Sequence, residues 1–241
     1  MNTTPWDNLS HYFVCDELSQ IDPDVADNVL IAWPSLLKGI QLIQKNGAHL
    51  SALDYGCGGG DFCKKLFSKG YSVVGCDSSA AMIVAAKKKF PNMEFYQCNS
   101  EKLHHLPYFP FDLITSIMVI PFVQEMRQLF VHLNDALKPG GILAFAVFNP
   151  EYVTKNHGAG KPFHDFKTIQ QGTSGFLDFG NIQLAVFIRS LEEYDRQITS
   201  LGFTRVFCDT PPFSEKYLTQ YQTKSDTSFP EFLILVYQKT F

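Results

Sequence analysis

The stretch HLSALDYGCGGGDF, residues 49 to 62, decides the fold. Leu50, Ala52 and Leu53 make an apolar run that leads into Asp54, and Gly56, Gly58, Gly59 and Gly60 then leave the next turn almost bare of side chains. The pattern predicts a buried strand, a glycine turn and a helix start. Backbone in such a turn can come very close to a ligand, and in an open α/β sheet ligands sit outside the carboxyl ends of the strands. Spacing then separates the ligand classes. A dinucleotide fingerprint, G-x-G-x-x-G/A, asks for a small residue at position 61, where this chain has Asp61. The spacing is instead D-x-G-x-G-x-G, with Asp54 just ahead of the turn. A carboxylate there repels a pyrophosphate and attracts a cation.

In this pattern the chain resembles the class I S-adenosylmethionine-dependent methyltransferases, over roughly residues 28 to 240. The resemblance implies S-adenosylmethionine as cofactor. It implies that Asp54 holds the ligand's methionine ammonium and that Gly56, Cys57, Gly58 and Gly60 surround its methionine and ribose parts. The second strand, YSVVGC, ends at Asp77, 21 positions beyond Gly56. An acidic residue at about that distance accepts hydrogen bonds from ribose hydroxyls in nucleotide-binding units, with Ser78 and Met82 beside it; a helix N-cap is the other role open to Asp77 or Ser78. Asn99 and Ser100, after a third strand MEFYQC, fall where the family often has an aspartate near the adenine amino group. Asparagine departs from that pattern but can still accept the bond, and an Asx-turn is the alternative. Ile117 and Met118, at the end of FDLITSIMVIPFV, would border the cofactor. The Asn/Asp-Pro-Pro-aromatic motif of enzymes that methylate base amino groups is replaced here by Val119-Ile120-Pro121-Phe122. Asn149-Pro150-Glu151-Tyr152 comes one strand too late to stand in for it. LKPGG before the fifth strand is another family match, as are the two closing strands, FTRVFCD and EFLILVY.

The expected architecture is a doubly wound, Rossmann-like α/β sheet of seven strands, mostly parallel, with an antiparallel last strand inserted before the sixth. It is read as a single methyltransferase domain over residues 1 to 241, with an N-terminal lid segment at 1 to 34 and a cap insertion at 149 to 189. A helix beginning near Pro34 should stop at Asn46 and Gly47. Ser190 and Glu193 form a capping box for a late helix. The cap should include one half-exposed strand, NIQLAVFI, from its period of two.

The 241 residues are 45% hydrophobic, with a net charge of -4. That balance supplies no bulk attraction to polyanions, so the expected partner is a small-molecule acceptor, partly apolar or aromatic, with no nucleic acid and no membrane. The six cysteines show no C-x-x-C pair and read as buried thiols in a reducing cytoplasm. The first ten residues lack the pattern of a secretion signal, and no metal ligand set stands out. The implied activity is methyl transfer, with Tyr12 and His164 expected at the acceptor. His164, with His157 behind it, is the candidate general base; packing or solvation is the other role for each. The rival functions are a cofactor-binding protein without turnover and a nucleotide-dependent oxidoreductase. The acceptor, the atom methylated and the oligomeric state stay open.

Overall fold

The computed structural model describes residues 4–13, 22, 25–43, 50–221, 223 and 225–240. Cys15, Pro23 and the helix stop at Asn46 and Gly47 lie outside the described residues. Strands β1 (Ser51–Tyr55), β2 (Ser72–Asp77), β3 (Glu94–Gln97), β4 (Phe111–Ile117), β5 (Leu137–Phe148), β9 (Phe203–Asp209) and β10 (Phe232–Lys239) form one sheet in the order β3-β2-β1-β4-β5-β10-β9. β1 pairs in parallel with β2 and β4, and β10 runs antiparallel to both β5 and β9. This is the expected topology.

Side chains alternate across a strand, and the central strands use both faces. Ala52, Val73, Leu113 and Ala144 join one buried cluster, while their neighbours Leu53, Val74, Ile114 and Leu143 join the other. Helices α2 (Trp33–Ile43), α3 (Asp61–Phe67) and α4 (Ala80–Lys89) cover the first face; α5 (Met126–Asp135) and α7 (Leu191–Thr199) cover the second. Near-continuous apolar strands are what burial on both faces requires. α2 lies so close to the sheet that a Cβ on Gly39 would strike Phe207 and Val236. A five-residue π-helical turn, Asn28–Ala32, leads into α2, so the helical path starts earlier than Pro34 suggests. As expected, Ser190 caps α7, accepting from the Glu193 amide at 3.3 Å.

The insertion is larger than one strand. After α6 (Pro150–Lys155), strands β6 (Phe163–Ile169), β7 (Gly172–Phe179) and β8 (Ile182–Ile188) make a separate antiparallel sheet. Phe163, Leu177 and Val186 from it pack with Phe148, Tyr152 and Val153 in a third cluster at the end of β5. Asn149 caps α6 by accepting from the Glu151 amide, which gives that Asn-Pro pair a structural role.

Not all six cysteines are free thiols, contrary to expectation. Cys76 and Cys98 form a disulfide across the ends of β2 and β3, with their Cα atoms 5.9 Å apart. Parallel strands in register bring their ends together whatever the sequence separation, so the missing C-x-x-C motif did not bear on this pair. Among the described residues no helix is long and apolar enough to cross a membrane.

Candidate active site

β1 delivers Asp54 to the carboxyl edge of the sheet, where it is 3% exposed. Its Oδ1 accepts from Thr115 Oγ1 at 2.8 Å and its Oδ2 from the Cys63 thiol at 3.4 Å. Burial pushes its carboxyl up to about 6 against the pull of those two bonds. A cation placed beside it would restore the charge. The turn then passes through Gly56 at φ 79° and Gly58 at φ 51°, a region that L side chains rarely enter. A Cβ on Gly58 would meet nothing within 4 Å, so the backbone there borders open space.

β2 delivers Asp77 beside that turn. Asp77 Oδ2 accepts from the Gly58 amide at 3.0 Å and Oδ1 from the Ser79 amide at 2.9 Å. Burial raises its carboxyl above the usual range, although these two donors oppose the shift. The capping role falls to Ser79, whose Oγ accepts from the Met82 amide at 3.2 Å.

These groups line a cavity of about 1470 Å³ that runs from the glycine turn to the antiparallel sheet of the cap. Asp54, Gly56, Cys57, Gly58, Asp77, Ser78, Met82, Ile117 and Met118 all line it. Three expected residues are not on its wall. Gly60 caps α3 at φ 85°, where a Cβ would strike Phe95, so it serves packing. Asn99 is exposed, and Ser100 pairs with His132 at 2.9 Å. Asp61, which ruled out the dinucleotide fingerprint, is bound to Lys89 at 2.7 Å.

Tyr12 and His164 both line the cavity. Tyr12 packs edge-on to Phe179 with ring centres 5.1 Å apart. Both ring nitrogens of His164 are taken, Nε2 by Asp178 and Nδ1 by Asp165, each at 3.0 Å. Those two carboxylates raise its pKa, Asp178 most. A histidine held that way ties β6 to β7. Sequence reasoning missed two further wall residues, Asp27 and Glu231. Burial, then the neighbouring Asp27, pushes the Glu231 carboxyl well above the usual range. Among the described residues no three His, Cys, Asp or Glu side chains are grouped to hold a metal.

Helix α1 (Pro5–Phe13) closes one side. At nine residues it is too short to be stable alone, and its docking is specific. Asp7 Oδ1 accepts from Ser79 Oγ at 2.7 Å and from the Ala81 amide at 3.1 Å, at the start of α4. Burial works against the Asp7 charge, but the bonds from Ser79, Thr4 and Ala81 outweigh it and hold the carboxyl below its usual range. Trp6 packs on Phe122 at 4.8 Å and Phe13 stacks on Phe179 at 5.9 Å. If this helix gates the cavity, Asp7→Ala should speed dissociation of S-adenosylhomocysteine by roughly fivefold, the equivalent of about 1 kcal/mol for a partly exposed charged cap. Stopped-flow displacement measures this, and an unchanged off-rate would assign the gate elsewhere.

Residues 53–145, from β1 through the central strands to β5, match a family described as "Methyltransferase domain". Over those residues the chain carries a methyltransferase domain, set in the fold of S-adenosylmethionine-dependent methyltransferases. It is 29% identical over 150 residues to a ubiquinone biosynthesis O-methyltransferase of Coxiella burnetii, covering 61% of this chain and 63% of that protein. It is 33% identical over 125 residues to the tRNA 5-carboxymethoxyuridine methyltransferase of Escherichia coli, covering 49% of this chain and 47% of that one. The match therefore spans about half to two thirds of the length of these relatives. A solved S-adenosylmethionine-dependent methyltransferase from Mesorhizobium loti shares the fold at a TM-score of 0.64, with 21% identity over 90% of this chain and 100% of that one. The Escherichia coli relative overturns one expectation, that nucleic acid is excluded as a partner. Net charge sums the whole surface, whereas an RNA substrate needs only local complementarity, so a total of -4 does not sort methyltransferases by acceptor.

Proposed function

We propose that this chain transfers a methyl group from S-adenosylmethionine to a small-molecule acceptor seated between the glycine cradle and the cap. The observation that carries the reading is the continuous cavity of about 1470 Å³ joining Asp54 and Asp77 to the cap sheet. Sites for one drug-sized ligand run to roughly 300–1,000 Å³, so this volume suits a cofactor and an acceptor side by side.

The cradle fits the cofactor on three counts: the buried carboxyl of Asp54 for an ammonium, the unobstructed backbone at Gly58, and the carboxylate of Asp77 for a ribose diol. When bound, the cofactor supplies an activated methyl group on a sulfonium. The work left to the chain is to hold both partners in line and keep water out, and orientation of this kind can supply about 7–11 kcal/mol of a barrier. Trp6, Phe13, Phe122 and Phe179 wall the chamber with rings, and His164 presents a carboxylate-braced edge to it.

S-adenosylmethionine and S-adenosylhomocysteine should each stabilise the fold. At about 100 times the dissociation constant the gain is ~2.7 kcal/mol, a rise in melting temperature of roughly 5–11 °C for a chain of this size. No rise with either compound would overturn the cofactor assignment. Labelled S-adenosylmethionine offered with small-molecule extract and, separately, with total RNA tests the acceptor. Label in RNA alone would overturn the small-molecule reading, and stabilisation without any turnover would favour a cofactor-binding protein.

A further inference from the structure

Arg189 directly follows β8 and is 1% exposed, the largest side chain buried to this degree among the described residues. Its guanidinium donates to three carbonyls of the turn after β4: Nη1 to Ile120 at 3.4 Å, and Nη2 to Val123 at 2.8 Å and Gln124 at 3.0 Å. The ring of Phe187 lies 5.3 Å from it. Burying a guanidinium is costly, and apolar side chains of similar volume often serve stability as well or better. Stability alone therefore does not account for an arginine here.

The turn it holds touches each part of the proposed site. Val119, at its start, leans on the cradle so closely that a Cβ on Gly56 would overlap it. Met118 just before it sits at φ 54°, a conformation uncommon outside glycine. Phe122 packs on Trp6 of α1 and on Phe148 at the end of β5, with ring centres 4.8 and 6.3 Å apart. One buried cation from the cap thus fixes a turn shared by cradle, lid and acceptor chamber.

We infer that Arg189 is a positioning residue, which sets the turn at residues 119 to 124 against the glycine cradle and so couples the cap to cofactor affinity. The inference rests on the cofactor site proposed above. Arginine suits the task because its rigid planar fork holds five donors at fixed spacing, whereas lysine offers three donors on one flexible, point-like ammonium.

The test is calorimetric titration of S-adenosylhomocysteine into the full chain and into Arg189→Lys and Arg189→Met, well below each protein's melting temperature. A purely structural arginine would lower the melting temperature and leave the dissociation constant alone. The expected result is a dissociation constant raised about 3–10-fold in Arg189→Lys and about 10-fold or more in Arg189→Met, since a turn no longer held in place must be ordered against the cradle each time the ligand binds. Unchanged affinity in folded Arg189→Met overturns the inference. Should that variant fail to fold, Arg189→Lys decides alone, and an affinity within about twofold of the parent overturns it. A parent protein that binds no S-adenosylhomocysteine would overturn the cofactor site and this inference together, an outcome distinct from equal binding by all three.

Discussion

Asp54→Asn is expected to bind S-adenosylhomocysteine roughly 10- to 150-fold more weakly than the parent and, above about pH 6, to be the more stable protein. The first effect follows from the cradle. The ammonium is the one cationic group of that ligand and so the natural partner of the fully buried Asp54, and a hydrogen bond between charged groups is worth about 1.5–3 kcal/mol. Asparagine keeps the shape and can still accept from Thr115, so the loss reports the charge. The second effect follows from burial. The Asp54 carboxyl titrates at about 6 in the folded chain against 3.8 for the ordinary group, so the folded state holds its proton more tightly than the unfolded state. The parent therefore carries its full stability below about pH 4, loses about 3 kcal/mol as pH rises through about 6, and stays at the lower level above it. The variant lacks that dependence. Denaturant unfolding from about pH 4 to 8, alongside calorimetry near neutral pH, reads both effects. A variant that binds as tightly as the parent would remove the ammonium from Asp54. Parallel stability profiles would show that the carboxyl is not the desolvated group its surroundings imply.

A trade of stability for binding at one residue also explains what the sequence could disclose. Asp54 in an otherwise apolar strand is locally inconsistent, and such inconsistencies mark sites. The same holds for Asp77 at the end of SVVGC and for glycines packed more densely than any turn requires. The sheet was legible because its strands are buried on both faces and its helices on one, so that two periods alternate along the chain. β6 was not legible. FHDFKTI mixes charges with rings, and its polar residues His164 and Asp165 are satisfied across the cap sheet or beside it rather than by any local pattern.

The features that stayed hidden depend on contacts between distant segments. Asp27 and Glu231 come from opposite ends of the chain and meet only once β10 has inserted beside β5. Cys76 and Cys98 meet because β2 and β3 are parallel neighbours. Arg189 looks like any charged residue that ends a strand until its three carbonyl partners, all some seventy positions away, are seen. Asp7 reads as an ordinary acidic residue in the first turn of a short helix, and only the fold shows that it reaches the start of a different one. In each case the residue type was visible and the partner was not. Local propensity carries no information about such partners.

Asp77→Ala should weaken S-adenosylhomocysteine binding by roughly 10- to 150-fold, and by distinctly less when the ligand lacks its ribose hydroxyls. The carboxylate already accepts from the Gly58 and Ser79 amides, one on each oxygen. Each carboxylate oxygen can accept twice, so two acceptor sites remain for a diol. Losing that pair of charge-assisted bonds costs about 1.5–3 kcal/mol. The substitution also releases the Gly58 amide, and the freed cradle adds a penalty that any ligand feels. Comparing the natural ligand with its 2′,3′-dideoxy analogue separates the two contributions, because only the first depends on the hydroxyls. For parent and variant the four dissociation constants form a cycle whose coupling term isolates the contact between Asp77 and the diol. A coupling of about 1.5 kcal/mol or more is the expected value. A coupling near zero, with both ligands weakened alike, would assign Asp77 to shaping the glycine turn and leave the ribose to another group on the cavity wall.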